Sequence, residues 1–147
     1  MSFTDRGIID LRCQGSVAQV IDRLQAIATS AGLLVFARID FSGDAQRAGL
    51  SMRPMQALLF GNPKAGTPIL VATPRAGLDL PLRALAWEDA DGAVWLSCNA
   101  PEYLETRHGF PAALRANIGG APALIAKAAH DHGAAAEPAG SRGSLAP

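Results

Sequence analysis

The sequence predicts an α+β domain: one mostly antiparallel sheet with helices packed on one face. Three observations carry that prediction. One long segment repeats apolar residues at spacings of three and four, several short runs are rich in β-branched and aromatic residues, and an Asp-Gly turn joins two such runs directly. Hairpin-linked strands mixed with helices are the pattern of a helix layer laid on an antiparallel sheet. A face or edge left uncovered by that layer calls for a partner, and a two-fold homodimer is the commonest solution.

Residues 8–13 alternate well enough to be a first strand. Ser16 then offers an N-cap oxygen, and Val17, Val20, Ile21, Leu24, Ala28 and Ala31 follow as one helical stripe that Gly32 can end in the left-handed conformation. Residues 33–39 read as a second strand, fully buried, and 42–48 as a short helix stopped by Gly49. Residues 55–60 read as a third strand, broken by Gly61-Asn62-Pro63-Lys64-Ala65-Gly66. Thr67 reads as a cap with Pro68 at the first helical position, the helix running through Val71 until Pro74 curtails it. Strands at 82–88 and 93–97 meet through Asp89-Ala90-Asp91-Gly92, whose Asp-Gly pair suits positive φ angles. This is a β-hairpin, with Trp87 and Trp95 paired across it. Pro101 opens a helix to Arg107, and Pro111 opens another to about Ala129, with a kink or break at Gly119-Gly120. From residue 133 the chain is mostly Ala, Pro, Gly and Ser with few anchors, a composition with little to bury. The expected division is therefore a single domain over 1–132 and a disordered tail over 133–147.

The bulk composition excludes several classes of function. At 147 residues, 49% of them hydrophobic, the chain can build one core without metals or disulfides. Thirteen basic and thirteen acidic residues cancel, and no Lys/Arg run supplies the basic surface that nucleic-acid binding leans on, so no nucleic-acid partner is expected. No apolar stretch reaches the ~18 residues of a membrane helix. The opening Met-Ser-Phe-Thr-Asp-Arg lacks the basic and apolar regions of a signal peptide, so a cytoplasmic protein is expected. Cys13 and Cys98 stand far apart in apolar runs and read as buried thiols rather than a metal or redox pair.

Several segments together resemble one family. They are Phe60-Gly61-Asn62-Pro63-Lys64-Ala65-Gly66-Thr67-Pro68, then Gly77-Leu78-Asp79-Leu80-Pro81-Leu82-Arg83-Ala84-Leu85 running on into Trp87-Glu88-Asp89. Trp95-Leu96 before Asn99, and the stretch from Tyr103 that ends Arg107-His108-Gly109, also fit. Over roughly 7–129 the chain resembles the domain of unknown function 302 family. The resemblance implies a strongly curved antiparallel sheet similar to the TATA-binding-protein-like fold, commonly dimeric, and no settled activity. Two positions depart from the pattern: Phe41 stands where many relatives carry histidine, and Cys98 where they often carry tyrosine.

No nucleophile–base–orienter set is visible, so no catalytic residue, metal site or cofactor is assigned. Serines 30, 42, 51 and 97 lack the Gly-x-Ser-x-Gly setting of a hydrolase elbow, and Glu88, Asp89 and Asp91 read as turn formers. The spacing from Gly61 to Gly66-Thr67 invites comparison with a phosphate-cradling loop, but Thr67 occupies the lysine position and Pro68 has no amide. A helix start there, with Asn62 and Lys64 beside it, would still offer a positive end to a small anionic ligand. Asp40 ends another strand and would face the same region, and His108 sits at a helix end between Arg107 and Gly109. His130-Asp131-His132 offers too few ligands for a structural metal. The ligand-binding expectation thus rests on Asp40, Asn62, Lys64, Thr67 and His108, in a small-molecule-binding or sensing domain. The alternatives are a small enzyme using Asp40, Lys64 or His108, and a structural partner-binding dimer.

Overall fold

The computed structural model describes residues 6–130. The tail expected over 133–147, and Asp131 and His132 before it, lie outside the described residues. The strands are β1 (Ile8–Cys13), β2 (Leu34–Asp40), β3 (Met55–Gly61), β4 (Leu82–Glu88) and β5 (Val94–Asn99). They form one open sheet in the order β1-β5-β4-β3-β2, antiparallel at every ladder. The helices are α1 (Val17–Ser30), α2 (Phe41–Arg47), α3 (Pro63–Ala72), α4 (Pro101–His108) and α5 (Ala121–His130). Two 3₁₀ turns, Pro74–Leu78 and Ala112–Asn117, lie between them.

α1 forms because both its ends and its face are specified. Ser16 Oγ accepts the Gln19 amide at 3.1 Å while Gln19 Oε1 accepts the Ser16 amide at 2.9 Å, a reciprocal capping box. Gly32, at φ 82°, ends it: its amide reaches Thr29 O, and the Leu33 amide reaches Ala28 O. The stripe Val17, Val20, Ile21, Leu24 and Ala28 is buried against Leu58 and Phe60 of β3, Ala84 and Ala86 of β4, and Leu96 of β5. The small Ala84 and Ala86 leave room for α1 on the central strand. α5 adds Ile125, Ala128 and Ala129 over β1 and β5. Truncating a fully enclosed side chain such as Leu24 to alanine costs about 2–5 kcal/mol. A second, smaller core of Ile69, Ala76, Leu104, Phe110 and Ile118 ties α3, α4 and both 3₁₀ turns together.

Three local expectations change. β2 is not fully buried: it is an edge strand, and Leu34 and Phe36 are about half exposed. The third helix starts at Pro63, capped by Asn62, and Pro68 lies inside it rather than at its first position. The helix expected from Pro111 breaks at Gly119-Gly120, where a kink or break is expected, but its first part is the second 3₁₀ turn and only α5 after the break is α-helical.

Among the described residues, helices pack on one sheet face. Across the ladders, Ile39, Met55, Ala57, Leu59, Leu85, Trp87 and Trp95 alternate onto the opposite face, and of these only Ala57 is fully enclosed.

Candidate functional site

The loop from Asn62 to Thr67 is the first turn of α3. Asn62 Oδ1 accepts the Lys64 amide at 2.9 Å, and the Asn62 carbonyl accepts the amides of Ala65 and Gly66, both at 2.9 Å. Pro63 has no amide to give. The first backbone amides of this helix end are therefore taken, and an anion held by these amides loses its basis.

The register separates Asp40 from Asn62. Leu34 pairs with Gly61 and Asp40 with Gln56, so Asp40 stands at the far end of the ladder, about 20 Å away at ~3.3 Å per residue. It caps α2 instead, accepting the Gly43 amide at 3.0 Å and the Ser42 hydroxyl at 2.9 Å. Those two bonds, with Arg47 and Arg38 nearby, hold its carboxyl below the usual range. His108 does not join the loop either. Its Nε2 lies 2.5 Å from Asp79 Oδ2, with Arg107 at 3.2 Å from the same oxygen, fastening α4 to the end of the first 3₁₀ turn. Lys64 is exposed and does not line the cavity beside α3. Of the five expected residues, the structure brings together only Asn62 and Thr67.

Those two line a pocket of about 260 Å³ where β3 passes into α3. Phe36, Gly61, Gly66, Leu70, Leu80 and Ile118 supply its apolar walls. Asn62, Thr67 and Asn117 are its polar side chains, and no charged side chain lines it. Asn117 is held by its own bond, Nδ2 to Ala65 O at 3.0 Å. Sequence reasoning missed Phe36, Leu80 and Asn117, which reach the site from three other parts of the chain. Gly66 was singled out as a turn residue, yet its contribution is space: a Cβ added there would meet nothing within 4 Å.

Elsewhere the polar groups are structural. On the uncovered face Trp87 Nε1 donates to Ser97 Oγ at 2.8 Å, and the Ser97 hydroxyl donates to Asp10 Oδ1 at 2.5 Å. Asp89 accepts Trp95 Nε1 at 2.9 Å and the Ala93 and Asp91 amides, which lower its carboxyl pKa and close the hairpin. Cys13 and Cys98 are buried and unpaired, and burial pushes their thiols up to about 11 and about 12. Both shifts disfavour the thiolate, the nucleophilic form, at neutral pH. Among the described residues no group of three His, Cys, Asp or Glu could hold a metal ion.

Similar proteins place the chain. It is 40% identical over 134 residues to "Fluoride-specific ion channel FluC 1" of Brucella suis biovar 1, a match covering 88% of this chain and 53% of that protein. "Fluoride-specific ion channel FluC 2" of Brucella melitensis biotype 1 is also 40% identical over 134 residues, covering 88% of this chain and 50% of that one. The chain thus spans about half the length of the curated relatives it matches. In fold it is similar to the crystal structure of an uncharacterized conserved protein DUF302 from Bacillus stearothermophilus, with a TM-score of 0.69 at 18% identity, covering 84% of this chain and 95% of that one. The model of Domain of unknown function DUF302 matches residues 9–136, and with the loop, hairpin and Arg107-His108-Gly109 segments all in order, the chain belongs to that family.

Proposed function

We propose that this protein is a small-molecule-binding or sensing domain whose ligand occupies the apolar pocket beside α3. The observation that carries this reading is a neutral, mostly apolar concavity with a few convergent polar groups, the usual composition of a small-molecule site. The ligand is apolar rather than anionic, because the walls offer no charge and the helix amides are spent. The enzyme alternative weakens: Asp40, Lys64 and His108 do not share one cleft. Gly66→Leu tests the reading, since the new side chain enters open space and replaces glycine by a better helix former. An environment-sensitive apolar dye should bind the wild type and bind the variant at least tenfold more weakly. Equal binding by both removes the support.

The uncovered face is proposed as the interface of a homodimer, since its large apolar residues are left partly exposed. The two unpaired buried thiols suit a reducing compartment, and a cytoplasmic location is part of this reading.

A second reading comes from the relatives named as fluoride channels, only about half of whose length this chain matches. A conduit through a bilayer needs membrane-spanning helices or a closed barrel. Among the described residues no helix is long and apolar enough to cross, and the sheet is open. The matched half would then be an appendage beside a channel, sensing or regulating rather than conducting. Fluoride efflux from vesicles holding a channel-containing relative, with and without the matched half, tests this. Identical rates and ligand responses count against it.

A further inference from the structure

The pocket beside α3 has a twin. A second cavity, also about 260 Å³, shares five of its lining residues: Gly61, Asn62, Leu82, Asn117 and Ile118. Its remaining walls include Leu33, Phe60, Ala121 and Leu124, and again no charged side chain. A cavity of ~150 Å³ suffices for benzene, so each lobe takes an apolar group of modest size. The two together fall within the ~300–1,000 Å³ of ordinary ligand pockets. Two apolar lobes that share these five residues as a waist fit a long molecule better than a compact one.

The waist carries a definite hydrogen-bonding pattern. Asn62 Oδ1 is taken by the Lys64 amide, which leaves its Nδ2 hydrogens as donors. Asn117 Nδ2 is taken by the Ala65 carbonyl, which leaves its Oδ1 as an acceptor. The two internal bonds also fix which way each amide points. The waist therefore presents the Asn62 Nδ2 group as a donor and the Asn117 Oδ1 as an acceptor. Both are solvated in the free protein, and a ligand that covers them must replace the water or leave them unsatisfied.

Resting on the pocket reading above, we infer that the ligand is an elongated, uncharged molecule with a secondary amide near its middle and an apolar arm on each side. Its carbonyl accepts from Asn62 Nδ2, its N–H donates to Asn117 Oδ1, and each arm fills one lobe. An ester of the same shape offers no donor to Asn117. A carboxylate would be desolvated without a cation to meet it.

The test is a matched series on the whole chain, read by displacement of the apolar dye: N-hexylhexanamide, hexyl hexanoate and dodecanoate. The amide should bind about tenfold more tightly than the ester, the effect of one lost hydrogen bond in a covered site, and more tightly than the carboxylate. Equal binding of amide and ester overturns the amide assignment while leaving the pocket intact. Gly120 lines the second lobe, and a Cβ there would meet nothing within 4 Å, so Gly120→Leu fills that lobe as Gly66→Leu fills the first. Both variants should weaken the amide at least tenfold. If Gly120→Leu leaves its affinity unchanged, the elongated two-lobed ligand is wrong. If no member of the series and no dye binds the wild type, the pocket reading fails and this inference with it.

Discussion

Trp87 and Trp95 are register partners across the β4–β5 ladder, their ring centroids 6.3 Å apart and their planes 23° from parallel. Each indole N–H has a fixed acceptor, Ser97 Oγ for Trp87 and Asp89 Oδ2 for Trp95, and the Arg12 guanidinium sits 5.8 Å above the Trp95 ring. The pair is thus held on the uncovered face as a rigid apolar surface with its polar atoms already satisfied. Such a surface loses little conformational entropy when covered.

Leu85 sits beside Trp87 on the same face of the central strand, paired with Ala57 on one side and Ser97 on the other. Leu85→Glu would place a charge in the middle of the proposed dimer interface. The wild type should run as a dimer at tens of micromolar, about the concentration a micromolar Kd requires. The variant should run as a folded monomer. Light scattering after size exclusion decides it, with circular dichroism as the check on folding. A monomeric wild type ends the dimer proposal.

Acid should destabilise the protein through Asp40 and Asp89. Both carboxyls are held below their ordinary pKa by hydrogen bonds, Asp40 first by the Gly43 amide and Asp89 first by the Trp95 indole. A carboxylate with a depressed folded-state pKa contributes stability above its unfolded pKa of about 3.9, and that contribution disappears as pH falls through the folded value. Asp40→Asn and Asp89→Asn should each lower Tm at pH 7, and each should show a smaller further loss than the wild type between pH 5 and pH 2. Parallel curves for wild type and variants would remove these groups from the acid transition.

The hairpin and α1 were legible because their signals are local. Asp91-Gly92 needs only its own φ preference, with Gly92 at 84°, and Ser16 with Gln19 closes a box within one turn. The start of α3 was not, because Asn62-Pro63 and Thr67-Pro68 carry the same cap-and-proline signature five residues apart. Nothing local ranks them, and the burial of Ile69 in the second core is tertiary information. The edge position of β2 was hidden for a related reason. An apolar run states that a strand can be buried, but its place in the sheet follows from the order of all five strands. The pocket was half legible. Asn62, Gly66 and Thr67 lie in the segment singled out as a site, while Phe36, Leu80 and Asn117 arrive through the fold, and open space has no sequence signature.

Cys13 and Cys98 should label slowly in the native state. Burial raises both thiols, to about 11 and about 12, with Arg23 opposing at Cys13 and Asp10 adding at Cys98. At pH 8 the thiolate fraction is then a small fraction of a percent, since each unit between pH and pKa is about a tenfold loss. A chromogenic disulfide reagent should take up two equivalents quickly in guanidinium chloride and almost none over the same minutes in buffer. Fast native labelling of Cys98 would reopen a chemical role at the position where relatives often carry tyrosine.

Gly7, just ahead of β1, should be harder to replace than Gly32. Its φ is 77°, a conformation that an L side chain adopts at a cost of about 1–2 kcal/mol. Gly32 shares that conformation at 82°, but a Cβ at Gly32 would meet nothing, whereas at Gly7 it would come within 2.2 Å of the Tyr103 ring. Tyr103 packs against the main core, and the Gly7 carbonyl accepts the Ala100 amide at 2.8 Å just ahead of α4, so neither partner moves away freely. Overpacking of that kind adds about 1–3 kcal/mol to the backbone term. Gly7→Ala should therefore cost about 3 kcal/mol in urea unfolding, and Gly32→Ala about 1 kcal/mol. The difference isolates the clash from the conformational strain. Equal losses at the two positions would mean that Tyr103 gives way, and that the contact between the start of β1 and α4 is soft.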